Sequence, residues 1–297
     1  MRKGYCPFSL SLILVAGLLY GCSLTSLILH PFGTSKSSLK KRVLVTAIVD
    51  QANFGKQTTK QLRDMLLTGL SATGKVVIFD YQEAISTANA TAGLSYGVVT
   101  DKTLLEMART QGINAVLSCI LSPIEREQKI VGIWPLHKAI AYYQIALVSN
   151  LIDPQSGTVI LSHLESDGIR IDLEEEEFTD RQWVRQEMKQ TVLPKLIRHS
   201  IKPIKKALES EPWEGRILSV DHRIQINAGH DVGVRPEYRF DVYGGNEKVR
   251  AKDGLELLVS WQKVGTIRVT EVGSNTSFAI PIDGKDFKAG QRIVSID

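Results

Sequence analysis

Two patterns of hydrophobic and polar positions divide the chain. Between residues 42 and 210, short apolar runs alternate with stretches whose apolar residues recur every three or four positions, the spacing of one helix face. After residue 214 only short runs of Val, Ile, Phe and Tyr remain, separated by Gly, Asn and Asp, as in a small antiparallel barrel or sandwich. The pattern predicts an α+β protein: an α/β sandwich-like domain with a mixed sheet over residues 42–210, then a small all-β, barrel-like domain over residues 214–297.

The first domain is predicted to contain the following elements, in chain order: a strand at 43–49, a helix at 58–73, a strand at 76–79, a helix at 101–111 and strands at 113–121, 124–130, 139–153 and 159–171. The last two strands are joined by residues 154–157, which have the composition of a tight turn. Residues 178–209 form a helical stretch, in which Pro194 and Pro203 are expected to kink or split the helix.

The chain begins with the features of an export signal. Its first residues are basic, residues 8–19 are apolar, and small Gly21 precedes Cys22. Lipid attachment requires a cysteine thiol, and the peptidase that acts next requires a small residue before it. We therefore predict that residues 1–22 carry a bacterial lipoprotein leader with Cys22 as the lipidated residue.

An uncleaved anchor is the alternative, because residues 8–32 carry no formal charge and are long enough to span a bilayer. In both cases the folded part lies outside the cytoplasm. Residues 23–41, which include a Ser- and Lys-rich stretch, are predicted to be the tether to the membrane. Ser23 is not the Asp that commonly marks inner-membrane retention, so the similarity to sorted lipoproteins implies the outer membrane, whereas the anchor alternative implies the inner one.

The second domain carries a resemblance to a known family through its turn glycines and short apolar runs. The matching positions are Gly215, Ile217, residues 226–229, Gly233, Val234, residues 264–267, Val269, Gly290 and Ile293. This segment resembles the C-terminal domain of flagellar assembly protein T and related envelope lipoproteins. The resemblance implies a non-catalytic assembly role in the flagellar basal body. It also implies an envelope protein complex as the partner, and a ring of identical copies of the chain is one arrangement of that complex.

The first domain carries a second resemblance. The matching positions are residues 43–49, residues 77–79, Ala108, residues 112–117 and residues 148–157. They resemble the periplasmic domain shared by the curli secretion lipoprotein, penicillin-binding-protein activator lipoproteins and the N-terminal domain of translocation protein B of the Tol-Pal system. This resemblance implies a periplasmic fold and leaves a curli-like secretion or cell-wall synthesis system as the alternative assembly.

Composition narrows the classes of partner. The formal charge of +4 is small and scattered along the chain, whereas a nucleic-acid surface needs clustered Lys and Arg. Nucleic acid is therefore excluded as a partner. Of the three cysteines, Cys6 and Cys22 lie in the leader, so no disulfide framework is expected and Cys119 is predicted to be a lone buried thiol.

Two short motifs suggest catalysis or phosphate binding, and both lack their usual surroundings. Residues 93–97 match the Gly-x-Ser-x-Gly pattern of a nucleophile elbow, which needs a buried strand before Ser95 and a helix directly after it. Residues 86–92 are small and polar instead. Residues 55–58 read Gly-Lys-Gln-Thr but lack the upstream glycine of a phosphate-binding loop. An envelope hydrolase using Ser95 stays an alternative, and a non-enzyme is the prediction.

No pattern indicates a metal or cofactor. The six histidines are spread singly, without a second ligand at metal-binding spacing. The acidic run at residues 172–177 lacks the alternation of a calcium loop and is predicted to be a solvated surface. No metal and no cofactor are therefore predicted.

Two segments are candidates for contacts with other molecules. Ile133, Trp134 and Pro135 lie where a hairpin turns and could touch lipid or protein. The barrel-like domain, expected to fold independently of the first domain, is a candidate docking module through its strand edges. Its charged insert at residues 244–255 is predicted to be a solvated loop.

Overall fold

The computed structural model describes residues 39–80, 94–95, 98–99, 102–250 and 256–296. Within these residues the chain forms a mixed sheet packed against helices, followed by a closed antiparallel barrel of six strands. The predicted α+β class with a small barrel domain is confirmed.

The sheet is built around strand β1 (Lys41–Asp50). It runs parallel to β2 (Val76–Asp80) on one side and to β5 (Ala115–Leu121) on the other. Every residue of β5 is buried, as is typical of a strand covered on both faces.

The rest of the sheet is antiparallel and depends on the long strand β7 (Lys138–Ile152). The second half of β7 pairs with β5, and its first half pairs with β6 (Glu125–Val131) along the same edge. Strand β8 (Val159–Asp172) covers the other edge of β7. The turn between β7 and β8 contains Gly157 at φ 72°, a left-handed conformation that favours glycine.

Helices cover both faces of the sheet. On one face lie α1 (Lys56–Ala72) and α5 (Leu193–Ser210), whose leucines pack on Val43, Val45 and their neighbours. On the other face lies α2 (Lys102–Thr110), which packs on Leu44 of β1. Successive side chains of β1 point to opposite faces of the sheet, so the apolar run of this strand contributes to both cores.

The helical stretch after the sheet differs from the prediction at Pro203. Two short helices, α3 (Leu173–Glu176) and α4 (Arg181–Glu187), are followed by a π-helical turn at Met188–Val192 and then by α5. Pro194 lies at the start of α5, directly after the π-helical turn. Pro203 lies inside α5, and the helix continues through it, so the predicted split there is wrong.

The barrel strands, in chain order, are β9 (Glu214–Val220), β10 (Ile224–Ile226), β11 (Arg239–Arg250), β12 (Glu256–Val272), β13 (Ser277–Gly284) and β14 (Arg292–Ser295). Its core includes Trp213 and Phe240, whose ring centroids are 5.5 Å apart. The predicted loop at residues 244–255 is partly wrong, because β11 continues to Arg250 and β12 begins at Glu256. Two small strands, β3 (Leu94–Ser95) and β4 (Val98–Val99), pair apart from both sheets.

The sheet and the barrel share a buried seam and belong to one compact unit. Leu39, within the predicted tether, packs in the barrel core. Arg42 of β1 is buried; it donates to the carbonyl oxygen of Asn227 and forms a 2.9 Å ion pair with Asp231. The domain bounds at residues 210 and 214 stay predictions. In the described part of the chain, no helix combines the length and the apolar character needed to cross a membrane.

Candidate functional site

The structure places Ser95 in a small hairpin. Leu94–Ser95 pairs with Val98–Val99 in antiparallel register, and the next described helix, α2, begins only at Lys102. A nucleophile elbow requires a strand that passes directly into a helix. The backbone at Ser95 does not have this arrangement.

Residues 55–58 form the start of α1, and a carboxylate of the chain itself already lies there. Gly55, at φ 92°, precedes α1, and its N–H donates to Oδ2 of Asp50 at 2.8 Å. An anion-binding helix N-terminus presents free N–H groups to its ligand. Here a negative side chain already lies beside those groups, so the loop is unsuited to a phosphate.

Two histidines that are distant in sequence come together on one carboxylate. Nδ1 of His199 lies 3.0 Å from Oε1 of Glu165, and Nε2 of His163 lies 3.4 Å from Oε2 of the same residue. Their pairing across β8 and α5 has no signal in sequence spacing. Among the described residues, no group of three or more His, Cys, Asp or Glu side chains is placed to hold a metal ion.

Cys119 is buried, as predicted, and its Sγ lies 3.6 Å from the hydroxyl of Ser149. Burial raises the pKa of this thiol to about 11. A thiol is a nucleophile only as thiolate, so Cys119 is a core residue. Cys22 lies outside the described residues, and its lipidation stays a prediction.

The acidic run at residues 172–177 is partly paired rather than wholly solvated. Glu176 accepts hydrogen bonds from the guanidinium of Arg126 and, at 2.6 Å, from the hydroxyl of Tyr143. These two donors hold the pKa of Glu176 at about 2. Asp172 pairs with Lys138 at 2.7 Å. The run therefore fixes α3 to the β6–β7 hairpin.

The hairpin of β6 and β7 ends in an exposed apolar tip, which we define as residues 132–137. All residues from 132 to 138 are exposed. Ile133, Trp134 and Leu136 of the tip are 84%, 81% and 86% exposed, and the preceding Ile130 is 73% exposed. Large apolar side chains grouped in this way on a soluble surface mark a contact with another molecule.

The tip lies beyond the ends of the strands that flank its hairpin, β5 and β8. β5 pairs with β7 only from Leu147 onward, and beyond that point β6 takes its place. Successive side chains of β6 point to opposite faces of the hairpin, and all of them from Glu125 to Ile130 are exposed. Both faces of this strand are therefore open to solvent. Because β8 pairs with β7 as far as Ile140, the hairpin is part of the sheet up to that residue, and only the tip and the residues beside it extend past the sheet.

The tip and the barrel lie at opposite ends of β7. Beyond Ile152, the turn after β7 contacts the barrel through a hydrogen bond from Arg216 to Gln155. The tip precedes Lys138 at the other end. A strand of this length spans about 45 Å at ~3.3 Å per residue, so the tip is held far from the seam.

Comparison with known proteins gives similarity to bacterial proteins of solved structure. A lipoprotein from Neisseria meningitidis is 14% identical, with a TM-score of 0.33, and the match covers 56% of this chain and 99% of that one. The PelC dodecamer from Paraburkholderia phytofirmans is 17% identical, with a TM-score of 0.34, and the match covers 58% of this chain and 94% of that one. The LpoB C-terminal domain from Salmonella enterica is 20% identical, with a TM-score of 0.29, and the match covers 45% of this chain and 86% of that one. Likenesses this weak carry no conclusion about function.

The sequence comparisons add no family. No family model matches the chain, and no curated protein matches its sequence significantly.

Proposed function

We propose that this chain is a non-catalytic component of a bacterial cell-envelope assembly, tethered to the membrane by lipid on Cys22. The observation that carries the proposal is the exposed apolar tip at the end of the β6–β7 hairpin. An exposed apolar surface of this kind suits a protein that contacts another component of the cell envelope. The leader before Cys22 supports the membrane tether.

The finer assignment is to a flagellar basal body in the outer membrane. It is supported by the resemblance of the barrel segment to flagellar assembly protein T and by Ser23 after the lipidated cysteine. A curli-like secretion or cell-wall synthesis system is the second candidate, supported by the resemblance of the first domain.

The tether is tested by the intact mass of the membrane-extracted protein. We expect a chain that begins at Cys22 and carries a diacylglyceryl group. A chain that retains residues 1–21 would show the anchor alternative instead.

The contact role is tested by complementation of a deletion strain with a matched pair of variants. Leu136→Ser changes the tip, and Leu164→Ser changes another exposed leucine, on β8. Both should fold, because exposed side chains contribute little to stability. We expect Leu136→Ser to lose complementation at an unchanged protein level, and Leu164→Ser to retain it. Equal complementation by both variants would contradict the proposal.

A further inference from the structure

We propose that the tip is a second membrane contact, which inserts its apolar side chains into the interfacial layer of the bilayer that holds Cys22. This inference rests on the proposed function, since it takes the lipid tether as given. The molecule that the tip contacts is lipid.

The residues of the tip suit this layer. The segment from Lys129 to Lys138 contains a Trp, a Pro and four aliphatic residues, and it contains no Asp or Glu. Tryptophan is enriched at membrane interfaces, because its ring is largely apolar and its N–H is polar. Lysines at the base of an inserted segment can extend their ammonium groups toward the headgroups.

Charge at the base of the tip is balanced. Lys129 pairs with Glu127 at 2.8 Å, and Lys138 pairs with Asp172 at 2.7 Å. Of the rest of the acidic run, Glu175 lies close enough to Lys138 to act on its charge, and Glu176 lies further from the tip, where it reaches Arg126. Arg126 lies five residues before the end of β6, or ~17 Å along the strand, which is about two Debye lengths at physiological salt. Insertion therefore requires no anionic lipid.

The size of the tip also favours lipid over a protein partner. Its four exposed apolar side chains offer roughly 500 Å² at most. A stable protein interface buries about 800 Å² on each partner. A bilayer needs no matching surface, and one modest insertion suffices when a lipid already holds the protein there.

The tether is long enough to allow both contacts. Leu39, the first residue that the structure describes, lies at the barrel end, ~45 Å from the tip. The sixteen residues between Cys22 and Leu39 reach at most ~55 Å when fully extended, which exceeds that distance.

The test uses the membrane-extracted full chain in phosphatidylcholine vesicles with brominated acyl chains, which quench tryptophan fluorescence on contact. The chain has four tryptophans, so Trp134→Phe identifies the Trp134 signal while retaining an apolar side chain. We expect quenching of Trp134 that is unchanged by added phosphatidylglycerol. Ile133→Ser with Leu136→Ser should lower the insertion equilibrium at least tenfold for each side chain, whereas Leu164→Ser should leave it unchanged.

Each outcome separates the two proposals. If the chain floats with the vesicles while Trp134 is unquenched, the inference is overturned and the tether still stands. Quenching that appears only with phosphatidylglycerol also overturns it. If the chain lacks lipid on Cys22, the proposed function fails, whatever Trp134 shows.

Discussion

At the scale of single residues, the charge that is buried at the seam between the sheet and the barrel contributes strongly to stability. Arg42 is enclosed where β1 meets the barrel, with Asp231 as its ion-pair partner. Loss of one partner leaves the other charge buried and uncompensated, which is among the most destabilising of single changes.

We expect Asp231→Ala to lower the free energy of unfolding by about 2–4 kcal/mol. The matched control is Glu271→Ala, which removes the carboxylate from the exposed ion pair with Arg223 and should cost less than about 1 kcal/mol. Urea unfolding measures both. Similar losses for the two variants would show that burial of Arg42 contributes nothing special.

Lys41 gives the seam a pH dependence of unusual sign. Burial lowers the pKa of its ammonium to about 8, although Glu214 and Glu211 act in the opposite direction. Between pH 8 and the ordinary pKa of 10.5, the unfolded chain binds more protons at this site than the folded one. The free energy of unfolding therefore rises with pH in this window, by at most about 3 kcal/mol.

Lys41→Met isolates this effect from the other groups that titrate at high pH. We expect the stability of the wild type relative to Lys41→Met to rise as the pH increases from about 8 to 10.5. The measurement is urea unfolding across that range. A constant difference between the two proteins would contradict the lowered pKa.

At the scale of elements, α3 holds the β6–β7 hairpin that carries the tip. Hydrogen bonds from Arg126 and Tyr143 hold the Glu176 carboxylate ionised, with a pKa of about 2. Because the folded pKa lies below the ordinary 4.5, this contact stabilises the fold above pH 4.5. Its contribution is lost as the pH falls from 4.5 toward 2.

Tyr143→Phe should raise the Glu176 pKa toward its ordinary value and cost about 1 kcal/mol above pH 5. Tyr142→Phe is the control. Tyr142 is the neighbour of Tyr143 on β7, and its ring lies under Lys129 of β6. An NMR titration of the Glu176 carboxyl carbon follows the pKa. If both variants leave that pKa unchanged, the hydroxyl of Tyr143 does not contribute to this contact.

At the scale of the whole molecule, the seam makes the sheet and the barrel depend on each other. Removal of residues 214–297 would expose Leu39 and Trp213 and leave Arg42 without its two acceptors in the barrel. We expect the shortened chain to lose several kcal/mol of stability. If the first domain instead unfolds at the same temperature in the shortened chain as in the full chain, the two domains fold independently, as the sequence pattern predicts.

Much of the fold could be predicted from the sequence because its signals are local. Apolar periodicity placed the strands and helices of the first domain within a few residues, and the spacing of turn residues indicated a barrel. The leader before Cys22 is also local. Proline was less informative: Pro203 lies inside α5, because packing of this helix on the sheet outweighs one missing hydrogen bond.

What only the tertiary structure decided depends on residues far apart in the chain. The sequence indicated that Trp134 lies at a hairpin tip, but its exposure follows from where the strands beside the hairpin end, the last of them β8 opposite Ile140. The pairs Arg42–Asp231 and Arg126–Glu176 have no spacing signal, because each joins two elements that meet only after folding. Burial and charge pairing are properties of the packed chain, so its contact surface and its seam became visible only in three dimensions.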